Sequence, residues 1–166
     1  MNTQMFENPI VQDNLKKLEH YGYEVIQPAV GLLACKDVGA GKMPEPETLL
    51  EYILREVAYE KDLKGKKILV TAGPTQEPID PVRYLTNHSS GKMGYAIAKV
   101  CSMRGAEVTL VSGKTAIKSP LFVDVVPVTT AREMYEAVIE RSDRQDIVIK
   151  AAAVQITVRK RSASRK

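Results

Sequence analysis

Lys67-Ile68-Leu69-Val70-Thr71-Ala72-Gly73-Pro74 is an apolar run closed by a glycine and a proline, and a helical pattern from Gly91 to Arg104 follows it. A short continuous apolar segment bounded in this way reads as a strand buried on both faces, here Lys67 to Thr71, ending in Ala72-Gly73-Pro74. Between strand and helix lies Asp80-Pro81-Val82-Arg83-Tyr84-Leu85-Thr86-Asn87-His88-Ser89-Ser90-Gly91-Lys92-Met93-Gly94-Tyr95, which sets an arginine, an asparagine and a Ser-Ser-Gly turn ahead of the helix. Helix starts leave N–H groups unpaired and carry partial positive charge, so small residues there let an anion approach. The segment points to a nucleotide.

Toward the carboxyl end the pattern stays regular. The helix is expected to bury Met93, Ile97, Val100 and Cys101 and to stop at Gly105. Glu107 to Val111 reads as a second strand, Phe122 to Val126 as a third and Asp146 to Val154 as a fourth; Thr130 with Glu133 makes a capping box for a helix carrying Met134, Ala137 and Val138. Strands alternating with helices predict an α/β fold with a Rossmann-like parallel sheet covered on both faces, a right-handed first crossover, and ligands outside the carboxyl ends of the strands.

Toward the amino end the chain is mostly helix and loop. Asn8-Pro9 predicts a capped helix with Val11, Leu15 and Leu18 on one stripe and Gly22 as its stop. Glu24 to Ile26 looks extended, and Gln27 to Met43, with Pro28, Gly31, Gly39 and Gly41, reads mostly as loop. Pro44 and Pro46 open a second helix whose Leu49, Leu50, Ile53, Leu54 and Val57 recur at helical spacing. Residues 60–66 are a charged linker, so a domain boundary is expected near Gly65.

A net charge of +4 would favour a nucleic-acid partner if it were spread over the chain. It is not: Arg159, Lys160, Arg161, Arg165 and Lys166 crowd the last twelve residues, and without them 19 basic residues face 20 acidic ones. The body therefore lacks the footprint of a DNA binder. Two cysteines, Cys35 and Cys101, give no disulfide framework, and no apolar run is long enough to cross a bilayer, so a cytoplasmic protein is expected. Cys101 falls on the apolar helix stripe and reads as a buried thiol, while His20 and His88 have no ligand cluster around them, so no metal-binding residue is assigned.

Two common phosphate motifs fail. A P-loop needs glycine five positions before Gly91 and Ser or Thr after Lys92, where this chain has Thr86 and Met93. A dinucleotide fingerprint needs its glycines directly after the first strand and an acid closing the second, but a long insertion separates Gly73 from Gly91 and the second strand ends in Val111-Ser112-Gly113.

Val70-Thr71-Ala72-Gly73-Pro74-Thr75, Asp80-Pro81-Val82-Arg83-Tyr84, Thr86-Asn87-His88-Ser89-Ser90-Gly91-Lys92-Met93-Gly94 and Ala151-Ala152-Ala153-Val154 together resemble the phosphopantothenate–cysteine ligase half of the bifunctional bacterial coenzyme A biosynthesis flavoproteins. Met1 to Phe6, Ala34-Cys35 and Gly39-Ala40-Gly41-Lys42-Met43 resemble the end of their phosphopantothenoylcysteine decarboxylase half. The resemblance divides the chain into a decarboxylase remnant at 1–59, the linker 60–66, the front of a truncated ligase domain at 67–154 and a basic tail at 155–166. It implies CTP-dependent activation of 4'-phosphopantothenate as an acyl-cytidylate, then amide formation with cysteine. On the matching positions Asn87 would orient the acyl intermediate, Arg83 would steady its anionic groups, and Gly73, Ser89, Ser90, Gly91 and Lys92 would line the nucleotide phosphates with Mg²⁺. In the remnant, Asn2 would hold the substrate carboxylate and Cys35 would protonate the enethiol; the family's FMN pocket is mostly absent, and family members form homo-oligomers.

The match breaks at Gln155, where the family continues Ala-Asp-Tyr-Arg-Pro-Lys. A gene segment for that family-like continuation, with a single G removed, translates into Val154 to Lys166 as they stand, so the tail is expected to be out-of-frame translation. The family also has glycine where this chain has Lys36 and arginine where it has Lys42. The fragment alone is expected to be inactive. The rival readings are a dinucleotide-dependent reductase and a small nucleic-acid-binding protein using the basic tail.

Overall fold

The structure, a computed structural model, describes residues 1–154; the basic segment 155–166, with the readings attached to it, lies outside the described residues. The chain divides into two compact units, Met1–Tyr52 and a second from Ile53 onward.

In the first unit Asn2 accepts the Met5 N–H and caps α1 (Thr3–Phe6), and Asn8 accepts the Ile10 N–H and caps α2 (Pro9–His20), with Pro9 in its first turn. Residues 27–43, expected to be mostly loop, instead form an antiparallel hairpin of β1 (Ala29–Leu32) and β2 (Val38–Lys42). The glycines that argued for loop serve close packing: a Cβ on Gly39 would stand 2.2 Å from Thr3 Oγ1, and one on Gly41 would stand 2.3 Å from the Met1 carbonyl oxygen. The hairpin turns through Ala34, Cys35 and Lys36. Lys36 donates its N–H to the Leu33 carbonyl and Leu33 to the Asp37 carbonyl, and Lys36 takes φ 68°, the left-handed residue of a three-residue hairpin loop. The next helix, α3 (Pro46–Val57), begins at the second of its two expected prolines and leaves Leu50, Ile53 and Val57 exposed.

In the second unit four parallel strands form one sheet: β3 (Lys67–Ala72) is central, flanked by β6 (Glu107–Ser112) and β8 (Ile147–Lys150), with β7 (Val123–Pro127) beyond β6.

 The strands stand side by side as β7, β6, β3 and β8, all parallel. Side chains alternate between the two faces of this sheet. Ile68, Val70, Ala72, Val108 and Leu110 pack with Tyr95, Ala98 and Cys101 of α4 (Lys92–Met103), while Leu69 and Val111 pack with Met134 and Ala137 of α5 (Ala131–Ser142). Both faces are covered, and each wholly buried aliphatic side chain such as Leu69 or Leu110 contributes roughly 1.5–3 kcal/mol. The capping box forms as expected: Thr130 accepts the Glu133 N–H and Glu133 accepts the Thr130 N–H.

Two expectations are corrected. Met93 is 65% exposed and Val100 37%, because α4 turns another face inward: Gly94, Tyr95, Ala98, Cys101, Ser102 and Met103 are its buried residues, most of them small. A Cβ on Gly94 would stand 2.5 Å from Ala72 Cβ and 3.0 Å from the Thr71 carbonyl oxygen, so helix and strand meet closer than larger side chains allow. The fourth strand stops at Lys150 rather than Val154, and Ala151–Ala153 continues beside the end of β3 through irregular bonds to Thr71 and Gly73. The segment before β3 is tied down as well. Lys61 donates to the Met103 carbonyl, Arg104 pairs with Asp62, and Leu63 packs against the α4 face of the core. No helix among the described residues is long and apolar enough to cross a membrane.

Two outcomes follow from this packing. Gly94→Ala should lower the urea midpoint, by about 1–3 kcal/mol of stability, because the added methyl meets backbone as well as Ala72. Lys36→Gly should raise thermal stability, by about 1 kcal/mol, by relieving a side chain held at positive φ; a melting curve unchanged or lowered would show that the turn is not strained.

Candidate functional site

The loops that follow β3 and β6 meet the start of α4 at the carboxyl edge of the parallel sheet. Gly73 and Gly91 take φ 74° and 78°, and a Cβ on Gly91 would stand 3.2 Å from both the Gly73 nitrogen and its Cα. The Thr115 methyl lies 2.9 Å from the place a Cβ would take on either glycine, and a Cβ on Gly113 would collide with the Pro74 carbonyl oxygen. Three stretches of backbone thus press together into one glycine-lined cradle.

Above it α4 begins without a side-chain cap, and its first intrahelical bond runs from the Tyr95 N–H to the Gly91 carbonyl at 3.2 Å. Ser89 Oγ accepts the Gly91 N–H at 3.3 Å and Ser90 Oγ the Lys92 N–H at 3.5 Å, so the two serines sit beside the helix start without closing it. Lys92 is exposed at the first helical position. This is an arrangement of N–H groups and partial positive charge suited to an anion.

Asn87 is delivered by a second hairpin, β4 (Gln76–Pro78) with β5 (Tyr84–Thr86). The sequence pattern marks the nucleotide-pointing segment here but no strands, and the hairpin lies within the long insertion between Gly73 and Gly91. The hairpin is docked at its base: Thr86 Oγ1 donates to the Thr75 carbonyl at 2.9 Å, the Gln76 N–H to Thr129 at 2.8 Å, and Glu77 accepts the Ala131 N–H at 2.7 Å at the start of α5. Asn87 then donates from Nδ2 to the Ala153 carbonyl at 2.9 Å, the same oxygen that accepts the Thr75 N–H. One end of the amide is fixed, and Oδ1 has no hydrogen-bond partner among the described residues.

Arg83 sits at the other end of that hairpin. Its Nε and a terminal guanidinium nitrogen each lie 2.6 Å from Asp80 Oδ2, while Asp80 Oδ1 accepts the N–H groups of Val82 and Arg83, and the arginine side chain is 74% exposed. The hydrogen bond from Arg83, together with those from the two backbone N–H groups, holds the Asp80 carboxyl below its ordinary pKa. Gly73, Asn87, Ser89, Ser90, Gly91 and Lys92 are therefore gathered at the sheet edge, and Arg83 is held at the hairpin tip.

Asn2 and Cys35 belong to the first unit and line a single cleft of about 380 Å³ with Leu33, Gly41 and Lys42. Asn2 uses Oδ1 to cap α1, which leaves its Nδ2 donors for an acceptor such as a carboxylate. Cys35 is exposed at the hairpin turn, its thiol 3.5 Å from Asp37 Oδ2, and Lys42 pairs with Glu45 at 2.6 Å. Cys101, by contrast, is buried under α4, and that burial pushes its thiol pKa up, as suits a packing residue.

Sequence reading missed three contributors: Thr115, Tyr95 beneath it, and the Ala153 carbonyl that holds Asn87. Their signal was positional, since Thr115 and Ala153 both follow the carboxyl end of a strand.

A family model described as the DNA/pantothenate metabolism flavoprotein C-terminal domain matches residues 63–166, and one described as Flavoprotein matches residues 1–58. The coenzyme A biosynthesis bifunctional protein CoaBC of Vibrio vulnificus is 49% identical over 154 residues, which is 93% of this chain and 38% of that protein. The protein of the same name from Mycobacterium bovis is 46% identical over 159 residues, with the same two shares, 93% and 38%. The chain spans 38% of the length of these curated relatives. A crystal structure of the C-terminal domain of coenzyme A biosynthesis bifunctional protein CoaBC is similar with a TM-score of 0.54 and 62% identity, over 55% of this chain and 47% of that one. The DNA/pantothenate metabolism flavoprotein from Streptococcus pneumoniae is similar with a TM-score of 0.52 and 34% identity, over 55% and 41%. With a glycine-lined cradle in its second unit and an Asn2–Cys35 cleft in its first, the chain belongs to the DNA/pantothenate metabolism flavoprotein family and joins parts of the two domains that the bifunctional coenzyme A biosynthesis proteins carry.

Proposed function

We propose that the second unit seats the triphosphate of CTP and forms the nucleotide-binding front of a phosphopantothenate–cysteine ligase. The observation that carries this reading is the convergence of Gly73, Gly91 and Thr115 at the sheet edge under an α4 start whose N-cap, Gly91, has no side chain. Phosphate oxygens accept hydrogen bonds, and the first turn of α4 offers backbone donors with Ser89 and Ser90 beside them.

A carboxylate is a poor electrophile, so the proposed reaction first gives it a leaving group. A carboxylate oxygen of 4'-phosphopantothenate attacks the α-phosphorus of CTP, the bond to the β-phosphate bridging oxygen breaks, and pyrophosphate leaves with that electron pair. The cysteine amine then attacks the acyl carbon, CMP departs, and the amine gives up a proton. Asn87 suits the second step, because an amide already anchored on the Ala153 carbonyl can orient the acyl group with its remaining polar atoms at little entropic cost. Arg83 suits an anion at the hairpin tip once it leaves Asp80.

Among the described residues no three His, Cys, Asp or Glu side chains gather to hold a metal ion. The donor set of the described residues therefore does not by itself make an Mg²⁺ site, and no step is assigned to one. In the first unit the Asn2–Cys35 cleft suits a carboxylate met by the Asn2 amide and an enethiol carbon protonated by the Cys35 thiol. Its lining of Met1, Asn2, residues 32–35, Gly41 and Lys42 contains no aromatic ring to stack on an isoalloxazine, so it does not fit FMN by itself. We further propose that the chain alone, at 38% of the length of its relatives, makes no phosphopantothenoylcysteine from CTP, cysteine and phosphopantothenate, and that the whole protein works in the cytoplasm as a homo-oligomer.

Titration calorimetry on the full chain tests the nucleotide reading. CTP should bind, NADPH should not compete, and Gly91→Ala should weaken CTP at least about tenfold, since the methyl meets Gly73 backbone at a positive φ; Ser90→Ala, which disturbs no packing, should weaken it about twofold to fivefold. Competition by NADPH, or a Gly91→Ala chain that folds and binds CTP normally, would refute the assignment. At the hairpin tip, Arg83→Gln should bring the Asp80 carboxyl back up toward its ordinary pKa in an NMR titration, and an anion that recruits Arg83 should do the same.

A further inference from the structure

The hydroxyls of Thr115, Tyr95 and Ser112 form a chain that leaves the cradle, passes through the core and returns. Thr115 Oγ1 donates to the Tyr95 hydroxyl at 3.1 Å, the Tyr95 and Ser112 hydroxyl oxygens stand 3.0 Å apart, and Ser112 Oγ donates to the Gly113 carbonyl at 2.8 Å. Each hydroxyl carries one proton. Thr115 spends its proton on Tyr95 and Ser112 spends its own on Gly113, so the Tyr95 proton lies toward Ser112. The direction of the whole chain is thereby determined.

Both ends touch the cradle. At one end the Thr115 methyl rests over Gly73 and Gly91; at the other, the Gly113 carbonyl oxygen lies 3.0 Å from the place a Cβ on Gly73 would take. Tyr95 and Ser112 are buried, and Tyr95 belongs to the apolar cluster between α4 and the sheet. Burying a hydroxyl is unfavourable unless it is hydrogen-bonded, and here the phenol is used both as donor and as acceptor.

We infer that Tyr95 is a positioning residue of the nucleotide site: through Thr115 and Ser112 it holds the loop after β6 against Gly73 and Gly91, and so sets the depth available to a phosphate chain. It touches no ligand itself. The inference rests on the reading of this edge as a nucleotide site.

The test uses the full chain with Tyr95→Phe, Thr115→Val and the double variant. Tyr95→Phe should weaken CTP binding about fivefold to tenfold, as loss of one or two buried hydrogen bonds would. Thr115→Val keeps the methyl and loses the donor, so it should do the same, and the double variant should be no weaker than either single one. Amide hydrogen exchange supplies a readout that does not need nucleotide: residues 113–116 should exchange faster in Tyr95→Phe while β3 and β6 stay protected. Additive losses, or wild-type affinity with unchanged exchange in that loop, would overturn the inference. Should Tyr95→Phe unfold, Ser112→Ala removes the acceptor instead and should quicken the same amides. A wild-type chain that binds no CTP would defeat the nucleotide reading, and the exchange pattern alone would then decide whether Tyr95 holds Thr115.

Discussion

Gly91 lies so close to Gly73 that the space between their backbones has no room for a side chain, and this contact governs the second unit. A Cβ on Gly91 would meet the Gly73 nitrogen and Cα as well as the Thr115 methyl. The same approach brings α4 onto β3, where Gly94 faces Ala72 and the Thr71 carbonyl, and puts Tyr95 within reach of Ser112 and Thr115. Lifting the helix by the width of one methyl would separate all of these groups together. Close packing makes that separation a loss of many small contacts at once.

The first unit uses the same device for a different end. Gly39 and Gly41 let β2 lie against Thr3 and Met1, which brings the capping residue Asn2 beside the hairpin turn that carries Cys35. Lys36 takes the left-handed conformation next to Cys35. The turn keeps its shape because the Leu33–Asp37 and Leu33–Lys36 hydrogen bonds over-determine it.

Much of the parallel sheet was legible because its strands are nearly continuous apolar runs with turn residues after them, and because Thr130 and Glu133 mark a helix start by a local rule. What local pattern could not reveal depended on contacts between distant residues. Met93 and Val100 fit a helical stripe as well as Gly94 and Ala98 do, and only the close approach of β3 decides that the small residues turn inward. The β1–β2 hairpin was hidden for a related reason, since glycines needed for packing against α1 look like loop residues when read alone. The gathering of Gly73, Gly91, Ser89, Ser90 and Lys92 was anticipated, whereas Asn87 finds its anchor on Ala153, 66 residues away.

Charge is distributed in this site in a way that bears on selectivity. The body of the chain is slightly acidic, so long-range attraction does little for an anion at this edge, and the positive partners close at hand are the backbone N–H groups and Lys92 at the start of α4. Arg83 is the cation that the local sequence places nearest Asn87, yet it is engaged with Asp80. An exposed ion pair of this kind contributes little net stability, so its partner can be exchanged for a more strongly charged one without disturbing the fold. The clasp thus holds the Arg83 guanidinium on Asp80, and a doubly charged phosphate that reached the hairpin tip would compete well against a single carboxylate.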